Sequence, residues 1–229
     1  MPDGIPPLTE QTRAEAREII ARYPRSRSAL LPMLHLVQSV QGYVSPQGIA
    51  LCAEELDLTK AEVAAVVTFY SMYRRKPAGT YHVGVCTNTL CAVLGGDAIF
   101  GALKEHLGVG HNGTTDDGMV GLEHIECNAA CDYAPVVMVN WEFYDEQTPQ
   151  SARELVDACR AGTPPPPTRG PSSLPTFKEV ARVLAGFNDG RGSEGVTAGR
   201  PSLVGLEMAK VRGDAAPAYP AAPSDGGEG

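Results

Sequence analysis

Apolar positions in the first third of the chain follow a helical period. Between residues 30 and 40 they recur mostly at every third position, which predicts a buried helix. A charged segment over residues 9–23 predicts a helix before it. Ser45 and Pro46 are typical of the start of a third helix, and Thr59-Lys60-Ala61-Glu62 is a capping box that begins a fourth. We therefore expect a helical bundle over residues 1–79.

After residue 79 the helical period gives way to short apolar runs that predict strands. The order is strand, helix, strand, strand, helix, over residues 81–85, 96–107, 119–125, 135–139 and 148–162. The first two strands lead directly into Cys86 and Cys127. This order predicts a small α/β layer with mixed strand directions, as in thioredoxin-like domains, over residues 80–163. The fold class expected for the whole chain is α+β.

The last part of the chain is rich in residues that interrupt regular structure. From residue 164 onward, 10 prolines and 11 glycines fall within 66 residues, beginning with a run of four prolines. Such a run stiffens into an extended helix and cannot join a packed α-helix. We therefore expect an extended tail over residues 164–229. Its apolar stretches at residues 177–184 and 203–206 are candidate docking segments for a partner.

The composition narrows the class of protein and the compartment. Hydrophobic residues make up 43% of the chain, enough for a core, and the net charge is −8. This charge argues against nucleic acid or an anionic membrane surface as the main partner. No run reaches the roughly 18 apolar residues of a membrane helix, and the N-terminus lacks the pattern of a signal peptide. We expect a cytoplasmic protein without membrane insertion, in which stable disulfides are rare.

Four of the six cysteines form two spaced pairs. Cys86 and Cys91 are a C-x4-C pair, and Cys127 and Cys131 are a C-x3-C pair. If the two strands before them are neighbours, four thiols converge at one sheet edge, where they bind metal or form disulfides. A [2Fe–2S] cluster takes two thiolates on each iron, which suits two separated pairs. Structural zinc and a catalytic dithiol remain open on spacing alone.

The remaining chemical motifs favour structural roles. Cys52 and Cys159 lie inside helical patterns and are expected in the core. Residues 108–113 match the glycine pattern of dinucleotide-binding turns, but a helix precedes them where a strand is required. We expect a helix stop followed by a loop there, and no catalytic residue or nucleotide site in this chain.

Several motifs in one order extend this picture. They are residues 31–38, 42–46, 61–63, 68–73, the C-x4-C pair, 114–118, the C-x3-C pair and 134–136. Together they resemble the NuoE family, the [2Fe–2S] subunits of NADH-quinone oxidoreductase in respiratory complex I, over residues 10–162. The resemblance implies a helical bundle followed by a thioredoxin-like domain. It also implies one [2Fe–2S] cluster bound by Cys86, Cys91, Cys127 and Cys131. Asp132 departs from the small, glycine-containing sequence usual beside the second pair.

The resemblance also implies a role within an assembly. NADH and FMN would be bound by the partner flavin-containing subunit, NuoF, and this chain would exchange one electron with the flavin during quinone reduction and ion translocation. That subunit and the iron–sulfur subunit NuoG are the implied partners, on the cytoplasmic side of the bacterial plasma membrane. Tyr70, Met72 and Tyr73 are the candidate docking surface, and a place in the bundle core is an equal alternative for them. One alternative is a diaphorase subunit of an NAD-linked hydrogenase or formate dehydrogenase. Another is a structural zinc module with a thioredoxin-like fold.

Overall fold

The computed structural model describes residues 4–218 and divides into two compact units. The first unit covers residues 1–196 and the second covers residues 197–229. The first unit contains a helical bundle and a five-stranded sheet with its own helices. In the described part of the second unit, one helix forms, α9 (Arg200–Arg212).

The bundle contains four helices near the N-terminus, as the apolar period predicts. Its helices are α1 (Glu10–Ile20), α2 (Leu30–Gln41), α3 (Pro46–Leu56) and α4 (Lys60–Phe69). Two predicted caps are confirmed: the Ser45 hydroxyl accepts the Gly48 N–H, and Thr59 and Glu62 form a capping box. Helix α2 is buried on most sides and ends at Gly42, whose φ of 79° suits glycine.

The sheet has the mixed strand directions that the sequence predicts. Its strands are β1 (Tyr81–Cys86), β2 (Gly113–Thr114), β3 (Val120–Ile125), β4 (Val137–Val139) and β5 (Glu142–Tyr144), in the order β2-β3-β1-β4-β5. Strands β1 and β3 run parallel, and the other three pairings are antiparallel. Both central strands therefore end at the same edge.

Three helices accompany the sheet: α5 (Thr89–Val93), α6 (Gly96–Leu107) and α7 (Pro149–Arg160). Side chains from α6 and α7 form one core with alternate residues of the central strands, such as Val83, Val85 and Leu122. A smaller apolar cluster lies around Cys86 and Cys91. The two larger helices therefore cover one face of the sheet, and the cysteine edge has a separate core.

The third predicted strand is followed by a further short strand that the sequence did not predict. Strand β4 ends at Val139, and the chain turns through Asn140 and Trp141 into β5. Both turn residues have positive φ, 50° and 71°, which is the geometry of a tight two-residue hairpin. The Asn140 side chain is fully buried and accepts the His82 N–H at 2.7 Å, which pins the turn to β1.

The structure also differs from the tail boundary expected at residue 163. Residues 164–196 belong to the first unit, and α8 (Phe177–Leu184) lies along α2. Phe177 is 2% exposed, and its N–H donates to the Thr80 carbonyl at 2.9 Å. The prolines set an extended path, but apolar residues at helical spacing on α8 bury themselves against the bundle. The segment expected to dock on a partner therefore packs in part on this chain's own bundle, where Ala185 and Phe187 join the core.

Candidate metal centre

The parallel pairing of β1 and β3 brings the two cysteine motifs to one edge of the sheet. Cys86 is the last residue of β1 and lies opposite Ile125, the last residue of β3. Cys127 follows two residues later. The edge convergence expected from the two strand ends is therefore present, with both motifs on the loops that leave it.

The first pair is buried. Cys86 and Cys91 are each 3% exposed, one at the end of β1 and the other within α5. Burial raises the pKa of the Cys86 thiol to about 11, with the neighbouring thiols of Cys91 and Cys127 adding to the rise. The backbone N–H of Asn88 donates to the Cys86 sulfur, and this hydrogen bond opposes the rise in pKa. Such N–H donors stabilise a charged sulfur.

Helix α6 packs directly on the backbone of this pair. A Cβ atom placed on Gly96 would lie 2.4 Å from the Cys86 carbonyl oxygen and 2.9 Å from the Cys91 carbonyl oxygen. Real Cβ atoms essentially never approach that closely, so only glycine fits. Gly96 is therefore a site residue that the spacing of the cysteines does not reveal.

The second pair is exposed. The Sγ atoms of Cys127 and Cys131 lie 3.7 Å apart, and the N–H of Ala129 donates to the Cys127 sulfur at 3.3 Å. Ala129 has a φ of 55°, which turns its N–H toward the sulfur within the short loop. The hydrogen bond between the two thiols and the charge of Cys127 raise the pKa of Cys131. Cys131 begins a 3-10 turn, Cys131–Tyr133.

The two pairs influence each other, but they do not form a single four-ligand cage. Cys86 interacts electrostatically with both Cys127 and Cys131. Within residues 4–218, no three cysteine, histidine or acidic side chains converge closely enough to hold one metal ion. A [2Fe–2S] cluster takes one thiol pair on each iron, and two thiol pairs with N–H donors at their sulfurs suit it.

Apolar side chains form the inner wall of this edge. The smaller core consists of the first cysteine pair with Ala130, Val136 and Met138, and Ile125, Ala134, Trp141 and Phe143 pack against it. Such a wall excludes water from one side of the site, and solvent exposure is one of the factors that set the reduction potential of an iron–sulfur cluster.

Strands β1 and β3 also carry a polar network that the sequence did not reveal. The Glu123 carboxylate accepts hydrogen bonds from Arg74 at 2.7 Å and from His82 at 2.9 Å. Burial opposes ionisation of Glu123, but the His82 hydrogen bond and the Arg74 guanidinium outweigh it and lower its pKa to about 2. Burial lowers the pKa of His82. Because Arg74 follows α4, this network joins the bundle to the sheet.

The other cysteines and the glycine-rich turn take the structural places expected for them. Cys52 and Cys159 are fully buried, and burial raises the pKa of each thiol to about 12. Helix α6 ends at Leu107, and Gly108 follows it with a φ of 69°. Residues 108–113 are therefore a helix stop and a loop into β2.

Comparison with known proteins assigns the chain to a family. The family model described as thioredoxin-like [2Fe-2S] ferredoxin matches residues 16–160. The NuoE subunit of NADH-quinone oxidoreductase from Mycobacterium tuberculosis is 60% identical over 223 residues, which cover 96% of this chain and 88% of that protein. The chain belongs to the thioredoxin-like [2Fe–2S] ferredoxin family, as a member of its NuoE group.

More distant relatives agree with this placement. NADH-quinone oxidoreductase subunit 2 of Thermus thermophilus is 36% identical to this NuoE homologue over 148 residues, 63% of this chain and 82% of that protein. A crystal structure of an air-oxidized NAD+-reducing [NiFe]-hydrogenase matches with a TM-score of 0.53 at 21% identity. That match covers 59% of this chain and only 23% of the hydrogenase chain, and it shows the shared fold.

Proposed function

We propose that this chain is the [2Fe–2S] electron-transfer subunit of the NADH dehydrogenase module of respiratory complex I. Cys86, Cys91, Cys127 and Cys131 would hold the cluster, with one pair on each iron. The observation that carries the proposal is the meeting of two thiol pairs at one amide-lined edge of the sheet, in a chain 60% identical to a NuoE subunit. When bound, such a cluster takes up and releases one electron.

The chain's own groups would hold and tune the cluster. All four thiols must lose their protons to bind iron, so cluster insertion releases protons and becomes harder at low pH. The N–H groups of Asn88 and Ala129 donate to sulfur and stabilise the charged form. The buried first pair closes the site on one side, while the exposed second pair leaves a short route to the surface.

We place the flavin contact at the surface beside the first pair. Leu90, Val93 and Leu94 are 42%, 79% and 52% exposed, on and just after the helix that carries Cys91. Exposed apolar side chains grouped in this way are typical of protein interfaces. In the proposal they contact the flavin-containing subunit NuoF, which would bind NADH and FMN, and the chain would exchange one electron with that flavin. The complete NADH-oxidising site would then lie outside this chain.

The residues expected as a docking surface or as core at the end of α4 divide between the two. Tyr73 is 6% exposed, and its hydroxyl donates to the Leu31 carbonyl at 2.9 Å, so it belongs to the bundle core. Phe69 and Tyr70 remain exposed, at 80% and 45%. These two rings, rather than Tyr73, are available to a partner.

Helix α9 is a second candidate contact. Its apolar side chains are exposed, with Leu206 at 53% and Val211 at 88%. We propose that it orders on NuoF or NuoG, because a short helix with exposed apolar residues gains stability by burying them. Limited proteolysis after Lys210 or Arg212 tests this proposal. Equal cleavage in the free subunit and in the assembled complex would argue against docking.

The proposed location is the peripheral arm of the complex, on the cytoplasmic side of the plasma membrane. Within the described residues, no helix combines the length and apolar character needed to cross a bilayer. Quinone reduction and ion translocation would be carried out by other subunits, with electrons from NADH entering through this module.

Metal analysis of the purified full chain tests the cluster assignment. We expect about two irons and two acid-labile sulfides per chain, the content of a [2Fe–2S] cluster. Cys86→Ser and Cys131→Ser should lose the cluster, and Cys52→Ser and Cys159→Ser should keep it, because the latter two thiols lie in separate cores. Stoichiometric zinc without iron, or a retained cluster in either ligand variant, would refute the assignment.

The proteins that co-purify with the chain test the assembly. We expect the flavin-containing subunit and further subunits of an NADH-quinone oxidoreductase. Recovery of hydrogenase or formate dehydrogenase subunits instead would favour a diaphorase role, and the cluster assignment would be unaffected.

A further inference from the structure

The chain beyond the family-matched region returns to the second cysteine loop. The family match ends at residue 160, and the segment that follows the prolines runs beside β5. The Thr168 N–H donates to the Phe143 carbonyl at 2.9 Å, and the Thr168 hydroxyl donates to the Asp145 carboxylate at 2.8 Å. These bonds fix the backbone next to the following residue, Arg169.

The Arg169 guanidinium lies between two aromatic rings. Its central carbon is 4.8 Å from the Tyr133 ring centroid and 4.2 Å from the Phe143 ring centroid. It also pairs with Asp145 at 2.8 Å, and the two side chains are only 14% and 8% exposed. Its Nε has no hydrogen-bond partner within residues 4–218. The rings therefore supply much of what holds this buried cation, as in cation–π contacts removed from water.

Tyr133 connects this contact to the cysteines. It belongs to the 3-10 turn that starts at Cys131, and its carbonyl accepts the Glu146 N–H at 2.9 Å. By contrast, Cys127, Asn128 and Ala129 are exposed, so the loop before the turn has little packing of its own. Ala130 packs in the smaller core, so the second pair is restrained at Ala130 before Cys131 and at Tyr133 after it.

We propose that Arg169 is a positioning residue for the iron–sulfur cluster, holding the Cys127–Cys131 loop against β5 through the ring of Tyr133. The inference rests on the function proposed above. Phe143 packs against the core around the first cysteine pair, so the guanidinium joins the two halves of the site. Lysine cannot replace it fully, because its compact ammonium group lacks the planar face that stacks on both rings.

Arg169→Met in the full chain removes both the charge and the planar stack. We expect cluster release to a chelator to become about thirtyfold faster, the loss expected from a desolvated cation–π contact. We also expect a lower midpoint potential, because Asp145 then leaves an uncompensated negative charge near the loop. Arg169→Lys keeps the charge, so its potential should stay at the wild-type value while its cluster is still released faster.

A double variant separates the effect of losing the aromatic contacts of Arg169 from the effect of losing its charge. Arg169→Met with Asp145→Asn restores neutrality, so the potential should return toward the wild-type value while release stays fast. Arg182→Met is the matched control, because Arg182 also pairs with a carboxylate, Glu15, and lies 4.3 Å from the ring centroid of Phe187 in the bundle. It should change neither quantity.

The results distinguish this inference from the proposed function. A wild-type chain that binds no [2Fe–2S] cluster overturns both. A wild-type chain with a cluster, and an Arg169→Met variant that releases it no faster than Arg182→Met at an unchanged potential, overturns the positioning role alone. Arg169→Lys provides the same comparison if the methionine variant does not fold.

Discussion

Replacing Gly96 with alanine adds one methyl group at the closest backbone contact of the first cysteine pair. The new Cβ would lie 2.4 Å from the Cys86 carbonyl oxygen and 3.0 Å from the Cys91 carbonyl carbon, whereas ordinary contact begins at 3.4 Å. Helix α6 or the loop must therefore move by about 1 Å. The atoms in the way are backbone atoms, so no side-chain rotation can relieve the overlap.

The free-energy change can be bounded from this overlap. Overpacking of this kind costs about 1–3 kcal/mol. Alanine recovers at most about 1 kcal/mol of helix propensity, and less at the first residue of a helix. We expect a net loss of about 1–2 kcal/mol in the free energy of unfolding. The effect on the cluster is larger, because a binding constellation must hold its groups within about 0.5 Å.

Gly101→Ala is the matched control, because it lies in the same helix and has no atom within 4 Å of its added Cβ. It should raise the free energy of unfolding by about 0.5–1 kcal/mol and keep the cluster. Urea denaturation gives the stabilities, and iron and labile sulfide per chain give the cluster content. If Gly96→Ala matched Gly101→Ala in both measurements, the close contact would not govern the site.

Three further changes test other parts of the structure. Burial lowers the pKa of His35 from 6.5 to about 4, because the buried ring stays neutral in the folded protein. Below pH 6.5 the unfolded chain takes up a proton that the folded chain does not, so the folded state loses stability as the pH falls to 4. Wild type should lose about 3 kcal/mol from this group between pH 7 and pH 4, and His35→Phe should not, in denaturation at both pH values. Glu123→Gln should cost about 3 kcal/mol by leaving the buried Arg74 guanidinium without a carboxylate partner, whereas Asp117→Asn, in an exposed pair, should cost far less. Val93→Asp should weaken co-purification of the flavin-containing subunit without loss of iron, and Val196→Asp, 71% exposed outside the proposed interface, should not.

Local signals in the sequence were enough to predict the elements that carry the cysteines. The caps at Ser45 and Thr59 mark helix starts, and each forms the expected side-chain hydrogen bond. Helix α6 has the predicted bounds because its apolar period and flanking glycines lie within one short window. Such signals act over a few residues, so they survive whatever the rest of the chain does.

Long-range contacts decided what the sequence could not predict. The segment leading into α8 is held by Asn140, whose side-chain amide donates to the Pro175 carbonyl at 2.8 Å across 35 positions. The link between Arg74 and Glu123 joins charges that look like ordinary surface residues in the sequence. Strand β5 has three residues, too few for a periodic signal. For α8 and for Arg74 the deciding partner lies far away along the chain, whereas β5 is simply too short to give a local signal.

The two halves of the site are restrained in different ways, and this limits what a ligand motif can reveal. The first pair is buried and fixed by the close approach of Gly96, which leaves no room for a larger residue. The second pair is exposed, and the turn that carries it is held at Tyr133. The Tyr133 ring contacts Arg169, a residue that lies beyond the family-matched segment. Cysteine spacing specifies which atoms can bind iron, but it says nothing about what keeps them in place. Substitutions near the first pair should therefore act by displacing its backbone. Substitutions that affect the second pair should act by removing a side-chain contact from a residue distant in the sequence.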